Sequence, residues 1–166
     1  YTIAVDGEAW SAIYPSIWEP AFSPLDGSVV APAKVDGAWT MVKDGQPFWK
    51  GRYAQLWHQK FSPDGKRLAA IAAPRYGRWT VAVDGVPWPA TFTQLVTDLV
   101  FSPDGGRIGA LAKDDETFRV VVDGTPWKNA WDMAWKPVFN PDGKIVAAKV
   151  EKDGKYTYTV NGSVWS

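Results

Sequence analysis

Seven aspartates recur in short glycine-bearing phrases of this sequence: Asp6, Asp44, Asp64, Asp84, Asp104, Asp123 and Asp142. Carboxylates in such number could be paired for general acid–base work or gathered around a cation, provided that the fold brings them within reach of one another. Their neighbours argue otherwise. All seven precede a glycine, in phrases such as "AVDGV" and "SPDGK", and aspartate before glycine is what a tight turn asks for on its own account. His58 is the single histidine, which excludes a histidine-rich metal site; in "LWHQKF" it reads as a strand side chain rather than a general base. Cysteine is absent, so there is no thiolate nucleophile, thiolate metal site or disulfide. The glycine phrases lack the strand–loop–helix setting of a phosphate cradle, and "KDDETF" (113–118) reads as a charged, solvated hairpin tip. The expectation is a chain with no catalytic, cofactor-binding or metal-ligating residue.

The aromatic residues offer more. Eleven tryptophans in 166 residues supply wide apolar faces for stacking on one another or on a partner. Trp10, Trp88, Trp127 and Trp165 each close a phrase of the "VDGxPW" kind, and Phe48 takes that place in the longer copy "VKDGQPFWK". An apolar position that returns once per repeat is first a core position, so these five are expected to pack one repeat on the next. Trp18, Trp57 and Trp135 stand four residues before a phenylalanine, and the third copy, "LVTDLVF", has no tryptophan there. Together with Trp131 in "KNAWDMAWKP", they are the candidate contacts for a partner, since aromatic side chains dominate interface hot spots.

The elements that must carry these residues follow from the repeats. The Asp-Gly or Asn-Gly pair of the "VDGxPW" kind of phrase begins at 6, 44, 84, 123 and 161, in steps of 38, 40, 39 and 38; "FSPLDG", "FSPDG", "FSPDG" and "FNPDG" begin at Phe22, Phe61, Phe101 and Phe139, in steps of 39, 40 and 38. In "VDGV" the two central residues fit a type I′ turn, which pairs Val83 with Val86 and sets Trp88 opposite Val81. The same counting sets Trp10 against Ile3, Trp127 against Val120, Trp165 against Tyr158, and puts Phe48 rather than Trp49 in the paired place. Pro63, Asp64 and Gly65 form a second turn per repeat. Apolar, alanine-rich segments such as "RLAAIAA" read as central strands covered on both faces. Tyr1, Trp39, Trp79, Phe118 and Tyr156 each stand five residues before the turn Asp or Asn and are expected to begin the third strands.

Four antiparallel strands per roughly 39 residues is the pattern of a β-propeller. The expected fold is all-β, a single domain over 1–166, with four complete blades at 13–49, 52–88, 91–127 and 130–165 and an N-terminal half-blade at 1–12. The half-blade is expected to be completed by a longer propeller or by a second copy of the chain. Eighteen basic residues balance eighteen acidic ones, which gives no field to gather nucleic acid, and the longest apolar runs, such as Leu68 to Pro74, are too short to cross a bilayer.

"FSPDG" followed by "KRLAAIA" resembles the repeat of TolB-type propellers, relatives of the WD-repeat propellers, across all four internal repeats. The added "VDGxPW", with "LWHQKFSPDG" and "IWEPAFSP" before it, is similar to the tryptophan-rich TmcD-like subunit of the transmembrane redox complex of sulfate-reducing bacteria. That resemblance implies a cytoplasmic, cofactor-free accessory subunit docked to iron–sulfur and haem-bearing partners; TolB-type relatives are instead periplasmic. The functional expectation is a non-enzymatic protein–protein interaction scaffold. The alternatives are a glycan- or small-molecule-binding propeller that uses its repeated tryptophans as stacking platforms, and an amplified or engineered repeat fragment with no activity of its own.

Overall fold

The computed structural model describes residues 1–165, in which every regular element is a β-strand. A short hairpin, β1 (Ala4–Val5) and β2 (Glu8–Ala9), comes first. A four-stranded antiparallel sheet follows, of β3 (Ala21–Phe22), β4 (Val29–Val35), β5 (Ala38–Lys43) and β6 (Gln46–Pro47). The second holds β7 (Gln55–Phe61), β8 (Leu68–Arg75), β9 (Arg78–Val83) and β10 (Val86–Pro87). The third holds β11 (Leu95–Phe101), β12 (Ile108–Asp114), β13 (Thr117–Val122) and β14 (Thr125–Pro126). In the last sheet β15 (Met133–Ala134) and β16 (Val138–Phe139) both pair with β17 (Val146–Lys152), ahead of β18 (Lys155–Val160) and β19 (Ser163–Val164). Pro137 lies between β15 and β16 and has no N–H to give the ladder, which splits that strand in two. Apart from β15 and β16, which both pair with β17, strands pair in sequence order within each sheet.

Turn chemistry sets the register. Asp84 and Gly85 adopt φ of 51° and 84°, the left-handed pair of a type I′ turn, and Val83 pairs with Val86. The aspartate has a second task. Its N–H donates to the Leu68 carbonyl at 2.8 Å and its Oδ1 accepts from the Leu68 N–H at 2.8 Å, so the turn between the outer strands is tied to the start of the central strand β8. Asp44 holds Val29, Asp123 holds Ile108 and Asn161 holds Val146 in the same way. In the second kind of turn, the buried Ser62 hydroxyl donates to Asp64 at 2.7 Å and accepts from the Arg67 N–H at 3.0 Å. Asp44, Asp64, Asp84 and Asp123 thus each commit one oxygen to a backbone N–H or a neighbouring hydroxyl, and the second oxygen of Asp84 and of Asp123 meets an arginine.

The sheets stack face on face. Ile3 packs against Val42 and Ala31 of the first sheet; Met41 faces Ala70 and Ala82 of the second; Val81 and Ile71 face Ala110 and Val121 of the third; Val120 and Leu111 face Ala148 and Val150 of the last. In each junction large side chains meet the small ones of the next central strand, which is how close packing between layers is reached.

Candidate functional site

The first strand of each four-stranded sheet carries the least regular chemistry. Trp18 donates its N–H to Pro32, Trp57 pairs with Ile71, Thr97 with Leu111, and Trp135 donates to Lys149, so Trp18, Trp57, Thr97 and Trp135 occupy one register in the four sheets. The residues after them are Glu19, His58, Asp98 and Lys136. In the second and third sheets the ladder shifts at this point, and His58 and Asp98 take left-handed φ of 50° and 54°. These are β-bulges, which re-aim side chains at the edge of a sheet; the first and last sheets have Pro20 and Pro137 one residue further on. A row of tryptophans, interrupted at Thr97 of the third sheet, therefore runs beside a row of ionisable residues.

Two clefts open along these rows. One, of about 580 Å³, is walled by Trp18 and Trp57 and includes Glu19, Pro20, His58 and Gln59. The other, of about 330 Å³, is bounded by His58, Lys60, Thr97, Asp98 and Lys136. The second brings side chains of the second and last sheets into one concavity across the third. Burial and the neighbouring Lys136 ammonium both lower the Lys60 pKa, burial more. Across the first cleft the Gln59 amide donates to the Glu19 carbonyl at 2.6 Å.

The tryptophans in the row are held from behind. Trp18 stacks on Trp39 with centroids 5.4 Å apart and planes 8° from parallel, yet is 52% exposed. Trp57 leans on Trp79 at 4.8 Å, and Trp135 on Tyr156 at 5.9 Å. The Lys149 ammonium sits 4.6 Å from the Trp135 ring and 4.8 Å from that of Tyr156, a cation–π arrangement that this aromatic pair makes within the chain itself. A pre-stacked indole loses little freedom when a partner covers its open face, which favours binding.

Other candidate residues lie elsewhere. Trp131 is buried at 5% exposure and bridges to Phe118, in register with Tyr53 and Phe92; it is a core residue, and no partner can reach its ring. Trp10, Trp88 and Trp127 lie against the α-carbons of Gly45, Gly124 and Gly162 in the next Asp-Gly or Asn-Gly turn. In the second copy this place belongs to Trp49, which is 4% exposed and lies over Gly85, while Phe48 is 52% exposed. The extra residue explains the exchange: Phe48 and Trp49 both donate to the Met41 carbonyl, at 2.8 and 3.2 Å, and this local doubling turns the second side chain inward. Trp165 donates to Tyr158 as its register requires but is exposed, with no further sheet to cover it. The ionisable row was missed in the sequence, although its signal is there: each member stands three residues before the phenylalanine of an SPDG-type phrase.

Among the described residues there is no group of three or more His, Asp or Glu side chains placed to hold a metal ion, and no helix is long and apolar enough to cross a membrane. No family model matches the sequence, and no curated protein matches it. The fold is similar to that of the uncharacterized protein lmo1340 from Listeria monocytogenes EGD-e, with a TM-score of 0.55 and 14% identity over 96% of this chain and 53% of that one. The chain thus spans about half the length of that structure, and the likeness is one of fold: an all-β protein of repeated four-stranded antiparallel sheets.

Proposed function

We propose that the sheets form an arc of a β-propeller and that the chain is a non-enzymatic docking scaffold whose partner seats on the Trp18–Trp57 cleft. The propeller reading is supported by the uniform face-on-face order of the sheets and by the cleft that Lys136 of the last sheet shares with His58 of the second, since sheets that curve around an axis converge through their first strands. The docking reading rests on one observation, the half-exposed Trp18 ring pre-stacked on Trp39 at the mouth of a cleft of about 580 Å³. Indole, carboxylate, imidazole and amide together suit a protein segment that presents an apolar or cationic side chain. The motif resemblance names the partner class as iron–sulfur- or haem-bearing subunits of a membrane-associated electron-transfer complex, met on the cytoplasmic side.

The test is binding of the immobilised chain to such a purified complex. Trp18→Ala and Glu19→Lys should each weaken binding at least about tenfold, the order expected of a hot-spot aromatic. Ile13→Ala, a change at a still more exposed apolar residue outside the cleft lining, should leave it as it was. Binding that is indifferent to all three substitutions would remove the cleft from the interface. The glycan reading draws on the same row of Trp18, Trp57 and Trp135, and would be favoured by saturable, sugar-dependent shifts in tryptophan emission that Trp18→Ala abolishes.

A further inference from the structure

One aromatic pair recurs in the first, second and last four-stranded sheets, and in the last it already holds a cation. Trp18 rests on Trp39, Trp57 on Trp79 and Trp135 on Tyr156. The Lys149 ammonium sits 4.6 Å from the Trp135 ring and 4.8 Å from that of Tyr156. The register that carries Lys149 in that sheet carries Pro32 in the first and Ile71 in the second. Neither of these supplies a charge. Among the described residues no lysine or arginine stands over Trp18, Trp39, Trp57 or Trp79, so two indole pairs present the negative faces of their π systems with no cation upon them.

The cleft that Trp18 and Trp57 wall has the electrostatics to match. Its lining includes Glu19 and neither lysine nor arginine. The Glu19 backbone carbonyl is taken by the Gln59 amide, but among the described residues its carboxylate makes no ion pair. His58 meets Trp57 edge-on, with ring centroids 6.4 Å apart. Trp18 lies nearly parallel to Trp39 while half of its surface stays open, so its free face is fixed before a ligand arrives. The neighbouring cleft contains Lys60 and Lys136; a cation is attracted to the first cleft and repelled by the second.

We propose that the Trp18–Trp57 cleft seats an alkylammonium group, a lysine side chain of the docked segment or its N-methylated form, with the two indoles as its walls and Glu19 as its counter-charge. The proposal rests on the reading of this cleft as the docking site and names what the docked segment presents. A primary ammonium can also donate hydrogen bonds to the Glu19 carboxylate, whereas a quaternary one depends on the ring faces and on charge alone.

His58 is the single histidine and lines the cleft, so its ring-proton NMR signals report occupancy at fixed pH and ionic strength. N-acetyl-lysine methylamide or choline should move them saturably. Neohexyl alcohol, the uncharged isostere of choline, should bind at least about fivefold more weakly, because it lacks the charge that the rings and Glu19 attract. Trp18→Ala and Glu19→Gln, both at exposed positions, should each weaken the cation at least about threefold, whereas Glu8→Gln, the same loss of charge at an exposed residue outside the lining, should not. Tighter binding of the lysine derivative assigns the primary ammonium, and tighter binding of choline the methylated one. No saturable shift with either cation, equal binding of the neutral isostere, or indifference to both Trp18→Ala and Glu19→Gln would each overturn the proposal. The purified electron-transfer complex separates this outcome from that of the docking reading. A complex that binds and is not displaced by either cation overturns the ammonium site alone, while saturable ammonium binding with no binding of the complex removes that partner and leaves the site standing.

Discussion

Tyr53 shows how one side chain joins two sheets. Its ring is buried beside Trp49, with an edge-on centroid distance of 6.5 Å, and its hydroxyl reaches out of its own repeat to the carbonyl of Gly85. Burial pushes the phenol up to about 12, against about 10 in an unfolded chain. Between those two values the unfolded state binds fewer protons than the folded one, so stability is complete below about pH 10 and falls as the pH rises through that window. Tyr53→Phe should therefore cost about 0.5–1.5 kcal/mol at neutral pH, the worth of one buried hydrogen bond, and should flatten the alkaline loss. Urea midpoints of both proteins from neutral to about pH 11 check this; parallel alkaline slopes would show that the phenol does not govern the loss. At the acid end the sign reverses. Hydrogen bonds from Ser62 and Ser102 lead in holding the Asp64 and Asp104 carboxyls below their ordinary range, so their contribution is present above about pH 4 and is lost as the pH falls below it.

At the scale of the element, the Asp-Gly hairpin is both a turn and a clamp, and the two tasks can be separated by substitution. The fourth full copy uses Asn161 in place of aspartate and keeps both bonds to Val146, at 2.9 Å each, so the clamp needs an acceptor oxygen and a residue at ease with positive φ rather than a charge. Asp84→Asn should accordingly change stability by less than about 0.5 kcal/mol; the ion pair it gives up, Arg67 to Asp84 at 3.6 Å, is exposed and worth little. Asp84→Ala strands the Leu68 N–H at the buried start of β8 and puts a β-carbon with no polar support in the left-handed region. It should cost about 1–3 kcal/mol. Equal losses from the two substitutions in thermal or urea unfolding would show that charge, not geometry, is what the turn requires.

At the scale of the whole molecule, an array in which each sheet touches only its neighbours is stabilised by the sum of its junctions. The second and third sheets are covered on both faces, whereas the hairpin β1–β2 and the last sheet are covered on one. Hydrogen exchange in dilute solution should therefore find the amides of β8, β9, β12 and β13 the slowest, and those of β1, β2, β18 and β19 the fastest. Uniform protection from end to end would indicate a single cooperative unit. Much of this architecture was legible in the amino-acid sequence. The roughly 39-residue period, the strands on either side of each turn and the pairings of Val83 with Val86 and Trp88 with Val81 follow from local steric demands, because Asp-Gly admits few turn geometries and a two-residue turn fixes its register. Other features depended on contacts between repeats that local rules do not reach. One additional residue before Trp49 exchanged the roles of Phe48 and Trp49, since side chains alternate along a strand and a single step changes the face. Trp131 went into the core because it shares the register of Tyr53 and Phe92, and the bridge that shows this spans two repeats. The row of Glu19, His58, Asp98 and Lys136 exists only once four separate first strands are brought side by side. By itself the sequence determined the turns, the strands and their pairing; the stacking of sheets decided which aromatic rings are buried and which face a partner, because burial is settled between repeats and not within them.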